Sequence, residues 1–154
     1  MKNLLLIALM VLTSCGIAQK RGFKNLSEKD GKIGIGTTLP DELLTVKGKI
    51  HTQEVLVDLE GAVAPDYVFE RYYEGTSETK PQYERLSLTA IETFIKQHHH
   101  LPGIPSAQEL DKNGMSLKEM NLVLLEKIEE LTMFVIEQQK EIDTLKGKIH
   151  SPEK

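Results

Sequence analysis

Three histidines stand in a row, His98, His99 and His100, in a chain that has 5 in all. Imidazole is the commonest metal ligand, so the run first raises metal binding. Its spacing argues otherwise. Adjacent residues on a helix point about 100° apart, and pairs that share a ligand sit at i, i+3 or i, i+4. Cys15 is the single cysteine, and His51 and His150 are remote in sequence. One histidine from each copy could still ring an oligomer axis. A metal-binding periplasmic protein using His98, His99 and His100 therefore stands as an alternative function. The other reading is architectural: the run ends a helix, because Pro102 disfavours helix at the residue before it. Histidines near a helix C-terminus also suit its dipole when charged.

Other chemistry is thinner. Residues 31–38, GKIGIGTT, place Gly31 and Gly36 at phosphate-loop spacing. Thr37 replaces the required lysine, and a turn follows where a helix should start. Strand packing explains these glycines better, and no cofactor is expected. The serines form no nucleophile elbow. Asp66, Glu70 and Glu74 read as surface carboxylates, and nothing calls for a perturbed pKa. The expectation is a protein that is not an enzyme.

The histidines need elements to hold them. Leu88, Ile91, Phe94 and Ile95 recur at helical spacing, which predicts a helix over 87–97 with Ser87 as its cap. Thr89 with Glu92 offers a capping pair one step on. After the corner at 102–105, Ser106 and Glu109 form a capping box for a short helix over 106–112, and Gly114 closes it. Ser116 and Glu119 form another box.

The longest pattern in the chain starts there. Heptad positions a and d read Leu117, Asn121, Leu124, Ile128, Leu131, Val135, Gln138, Ile142, Leu145 and Ile149. All but two are Leu, Ile or Val, which predicts a coiled coil over 115–150. A rod of roughly 50 Å is too long for so small a body to cover, so the seam calls for other copies of the chain. Polar Asn121 and Gln138 would fix register and strand number. Glu141 at g and Lys146 at e suit an interchain ion pair. Leu122, Leu125, Phe134 and Ile136 lie outside the seam. The first half of the helix should therefore also pack on the preceding segment, and the second half should project. A homotrimer is favoured because a small sheet with open edges needs cover. Ile or Val at a with Leu at d keeps a dimer as the alternative.

Upstream, residues 32–36, 43–46 and 49–57 read as short strands in a glycine-rich β segment over 31–63. Residues 19–30 are polar and read as a flexible tether. Residues 1–18 read as a signal peptide, with Lys2 before an apolar run at 4–12 that is too short to span a bilayer. Cleavage after Ala18 competes with a lipobox, Leu12-Thr13-Ser14-Cys15, that would make Cys15 a lipidated first residue. Either way the protein is exported, to the medium or to the cell surface or outer membrane. Membrane contact would come only through a lipid on Cys15. A lone cysteine excludes an intrachain disulfide. The net charge of -4 gives no basic patch for nucleic acid.

Two stretches together resemble a known family. KIGIGTTLPDELLTVKGKI is similar to the glycine-rich segment of bacterial and phage tail-fibre-like secreted proteins. PDYVF, then HLPGIPSAQEL, NGMSLKEMN and LLEKIEELTMFVIEQQKEI, resemble the C-terminal module of those proteins. The likeness covers residues 31–149, and His100 is the only histidine of the run that it includes. It implies a surface-exposed oligomer whose end module aids trimer assembly. That module is distantly similar to intramolecular chaperones that trimerise phage fibres and then cleave themselves off, starting at a Ser-Asp pair. Pro65-Asp66 stands here instead, so the nucleophile is missing. The resemblance implies assembly without processing, with a self-processing protease as a further alternative.

The fold expected is α+β: a small glycine-rich β segment, short helices, then a long C-terminal coiled-coil helix. A collar over 64–114 should join the two ends. The function expected is structural: an oligomerising, tail-fibre-like or surface-display module.

Overall fold

The computed structural model describes residues 23–150. The signal-peptide reading of 1–18, Cys15 and the start of the tether lie outside the described residues. The class is α+β: the described residues form a three-stranded sheet followed by four helices, the last of them long. The chain divides after Val55 into two compact units.

The first unit holds β1 (Leu26–Lys29), β2 (Lys32–Ile35) and β3 (Leu44–Val46). β1 pairs antiparallel with β2, with Lys29 opposite Lys32. The two residues between them, Asp30 and Gly31, both have positive φ, 53° and 76°. Asp-Gly is a favoured two-residue hairpin loop, because both central residues of such a turn need that conformation. Residues 26–29 are therefore a strand, not part of a flexible tether. β2 pairs parallel with β3, Gly34 opposite Thr45. The connection over 36–43 is short for a parallel crossover. Thr45 closes it: its Oγ1 donates to Asp41 Oδ1 at 2.7 Å and accepts the Asp41 and Glu42 amides at 3.1 Å. That bond also holds the Asp41 carboxyl below its ordinary range.

The strand expected over 49–57 does not form. A strand needs a partner for its backbone groups, and the sheet ends at β3. Ile33, Ile35 and Leu44 remain exposed. So small a sheet is marginally stable, and its tight points should dominate its behaviour. Gly36 has φ 73°, and a Cβ there would lie 2.9 Å from the Lys47 carbonyl oxygen. A Gly36→Ala substitution meets both the left-handed penalty of about 1–2 kcal/mol and that clash. It should strip exchange protection from the Ile33 and Lys47 amides, which bond the Leu43 and Ile35 carbonyls. Gly48→Ala, with open space around it, should leave that protection unchanged.

The second unit holds α1 (Tyr67–Glu74), α2 (Leu88–His98), α3 (Ala107–Asn113) and α4 (Leu117–His150). Asp66 stands at the N-cap of α1, which Gly75 closes at φ 78°. Ser87 caps α2 through the Ala90 amide. Ser106 and Glu109 make both halves of the capping box of α3, and Gly114 ends it at φ 77°. Ser116 Oγ accepts the Glu119 amide at the start of α4. The core is small: Tyr67, Val68, Tyr83 and Met133, with Phe69, Tyr72 and Ile136 packed against it. It joins α1 and the segment before α2 to one face of α4. The polar loop between α1 and that segment is also tied down. Ser77 is buried and donates to Glu70 Oε2 at 2.5 Å.

Candidate functional site

Helix α4 has 34 residues and two unlike faces. Met133, Phe134, Glu129 and Glu130 are buried, and Glu126, Lys127, Ile136 and Glu137 are half-buried. These residues form the face toward the collar. The opposite side carries Leu117, Asn121, Leu124, Ile128, Leu131, Val135, Gln138, Ile142, Leu145 and Ile149, and all ten are exposed. Ile128 keeps 58% of its surface in water and Leu131 keeps 61%. The a and d stripe is therefore left uncovered by the described residues of its own chain, with α2 reaching only its edge at Leu124, Ile128 and Leu131. From residue 138 to 149 every side chain is exposed, on all sides of the helix.

Of the four apolar residues expected on the collar side, Phe134 is buried and Leu122 and Ile136 are half-buried. Leu125 does not follow. It is 42% exposed, because its position e lies beside the stripe and away from the collar.

The collar face carries a polar network that periodicity does not announce. Tyr67 donates to Glu126, and Lys80 Nζ lies 2.9 Å from the Tyr67 hydroxyl and 3.2 Å from Glu126 Oε2. Lys127 bridges Glu126 at 2.8 Å and Glu130 at 3.0 Å. Tyr83 donates to Glu130 at 2.8 Å. Burial works against the charged form of Glu126. The hydrogen bonds from Lys127, Tyr67 and Lys80 outweigh it and hold the carboxyl below its ordinary range. Burial pushes the Tyr83 hydroxyl far up, aided by Glu130. Glu129 lacks such partners. Its Oε2 is buried with no hydrogen bond among the described residues, and burial, then Asp66 and Glu126, raise its pKa. Nothing in the sequence called for a perturbed pKa, yet Glu126 and Glu129 on α4 are both shifted. Their signal was one of position. Glu126 and Glu129 fall on the same helical face as Met133, opposite the a and d stripe.

Arg85 closes the upper end. It pairs with Glu137 at 2.8 Å, and its guanidinium carbon lies 4.4 Å from the Phe134 ring centroid. The ring face attracts the cation. Beside the stripe, a groove of about 290 Å³ runs between α2 and α4, lined by Leu88, Ile91, Leu101, Leu124, Ile128 and Leu131 among others.

The histidine run sits at the end of α2. His99 is its left-handed cap, with φ 60° and its amide on the Ile95 carbonyl at 2.8 Å. A non-glycine residue seldom takes this conformation, but the bond satisfies a carbonyl left open at the helix end. His98 lies tilted against the Phe94 ring and His100 meets it edge-on, and the two histidine rings are 6.0 Å apart. No group of three His, Cys, Asp or Glu among the described residues could hold a metal ion. No helix among them is long and apolar enough to cross a membrane.

Compared with protein-family models, curated proteins and solved structures, the chain matches none.

Proposed function

We propose that this chain is a structural assembly module: an exported protein whose α4 helices join in a parallel homotrimeric coiled coil, with the collar outside and the β unit held for surface display. The observation behind the reading is the ten-residue a and d stripe, exposed along its whole length while the opposite face carries the collar. Covering an apolar side chain returns about 1.5–3 kcal/mol if it was fully exposed, and roughly half that here. Eight such residues per chain outweigh the freedom lost on association only if other copies cover them together. Three strands are favoured over two because Leu125 at e widens the stripe beyond a strict a and d seam.

Nothing in this reading needs catalysis or a cofactor. The leader would carry the chain out of the cytoplasm, and a lipid on Cys15 would tether it to a membrane. The intact mass of the exported form separates that tether from cleavage after Ala18. Assembly itself is tested by sedimentation of the exported protein at micromolar concentration. A mass of three copies is expected, and a stable monomer would overturn the reading.

A further inference from the structure

We infer that the groove between α2 and α4 is the seat for a second copy of this chain, entered by Leu125 of that copy. This rests on the assembly reading above and specifies how neighbouring copies meet.

With the stripe at a and d, the flanking e positions over residues 118–139 are Lys118, Leu125, Thr132 and Gln139, and the g positions there are Met120, Lys127 and Phe134. The two flanks differ. Met120, Lys127 and Phe134 are half-buried or buried against the chain's own collar, whereas Leu125, Thr132 and Gln139 are exposed and only Lys118, one heptad before the groove, is half-buried. The groove opens on the g flank. Leu124, Ile128 and Leu131 of the stripe form its floor, and Leu88, Ile91 and Leu101 form its far wall.

The flanks decide the packing. In parallel, in-register helices the g side of one copy meets the e side of the next. Each collar then faces a bare flank, and the contact repeats around a closed ring. Antiparallel packing would set g against g and drive two collars together. The parallel register also fixes height. The groove spans residues 124–134 of α4, so the neighbour's Leu125 arrives beside Leu124 and Ile128. Leu125 is the one apolar residue among those e positions, and it lies outside its own chain's core cluster. An apolar side chain on the otherwise polar flank thus meets an apolar cleft on the facing flank. The cleft shares three residues with the stripe, so a helix that covers the stripe must also cross it.

The test places a photo-crosslinking benzoylphenylalanine at position 125 of the full exported chain. Light and heavy isotope copies are mixed, and the sample is first sized by sedimentation. After irradiation, the joined peptides should link position 125 of one copy to residues 86–102 of another. Leu125→Glu should weaken association at least tenfold and leave the thermal unfolding of the dissociated chain unchanged. Crosslinks confined to the same chain, or to other surfaces, in a sample that sediments as an oligomer would overturn this inference alone. So would an association constant unmoved by Leu125→Glu. A monomer by sedimentation would overturn the assembly reading and this inference with it.

Discussion

Replacing Ile128 and Leu131 together by glutamate should turn the oligomer into folded single chains. The two residues are consecutive a and d positions at the middle of the stripe, and both are more than half exposed in the single chain. Glutamate is a good helix former and tolerates a solvated helix surface, so the collar should keep its stability to within about 0.5 kcal/mol. In the assembly, the same carboxylates would be shut in three at a time, without a positive partner. Burying unpaired charge costs several kcal/mol. Association should weaken by at least about a thousandfold, roughly 4 kcal/mol. Sedimentation reads the mass, and circular dichroism reads the helix. The ends of α4 beyond residue 138 should lose helicity, because every side chain from 138 to 149 is exposed. An unchanged mass would mean that the stripe is not the joining surface.

The second large effect lies on the other face of the same helix. Lys127→Met should destabilise the collar by about 2–3 kcal/mol. Lys127 bonds both Glu126 and Glu130, whose side chains keep only 14% and 9% of their surface exposed. Removing the ammonium leaves two covered carboxylates without their shared cation, which costs more than the bond itself was worth. The full penalty for a deeply buried pair is discounted here because the site is not sealed. Unfolding is best measured in the Ile128→Glu, Leu131→Glu background, where it is not coupled to association.

Acid should act on this face in two opposed steps. Glu129 has its folded pKa raised, so its unfavourable contribution is present at neutral pH and relieved as pH falls through the folded value. Glu126 has its folded pKa lowered, so its stabilising contribution is present above the unfolded carboxylate value and lost as pH falls through the folded one. Stability should therefore rise on mild acidification and fall on stronger acidification. Glu129→Gln should remove the rise. Lys127→Met should move the fall to higher pH, because Glu126 loses the leading hydrogen bond that holds its carboxyl down. A flat profile between neutral and mildly acid pH would contradict the placement of Glu129.

Much of the fold was legible because its signals are local. A capping serine followed by a glutamate, and a glycine past a helix end, act within a few residues, so both ends of α3 and the start of α4 could be read directly. The Asp30-Gly31 hairpin was equally legible by its turn chemistry, but the polarity of residues 26–29 hides it. The strand expected over 49–57 fails to form for the opposite reason. Its residues suit a strand, yet pairing is a property of two segments, and none of the described chain supplies the second.

The sequence by itself determined that residues 117–150 form one long helix and which of its residues fall on a common stripe. It determined that His98, His99 and His100 stand beside a helix end, since a proline lies just beyond them. Only the tertiary structure decided which face of α4 its own chain covers. Helical periodicity sorts residues into faces, but α4 has apolar residues on both. Met133 and Phe134 are covered because α1, Tyr83 and the segment before α2 pack on that side, contacts made across some 50 residues of chain. The buried carboxylates follow from the same choice. Glu126 and Glu130 are ordinary residues of an exposed helix until Tyr67, Lys80 and Tyr83 are brought against them. Leu125 was left outside because one step of about 100° around a helix separates a side chain against the collar from one in open water.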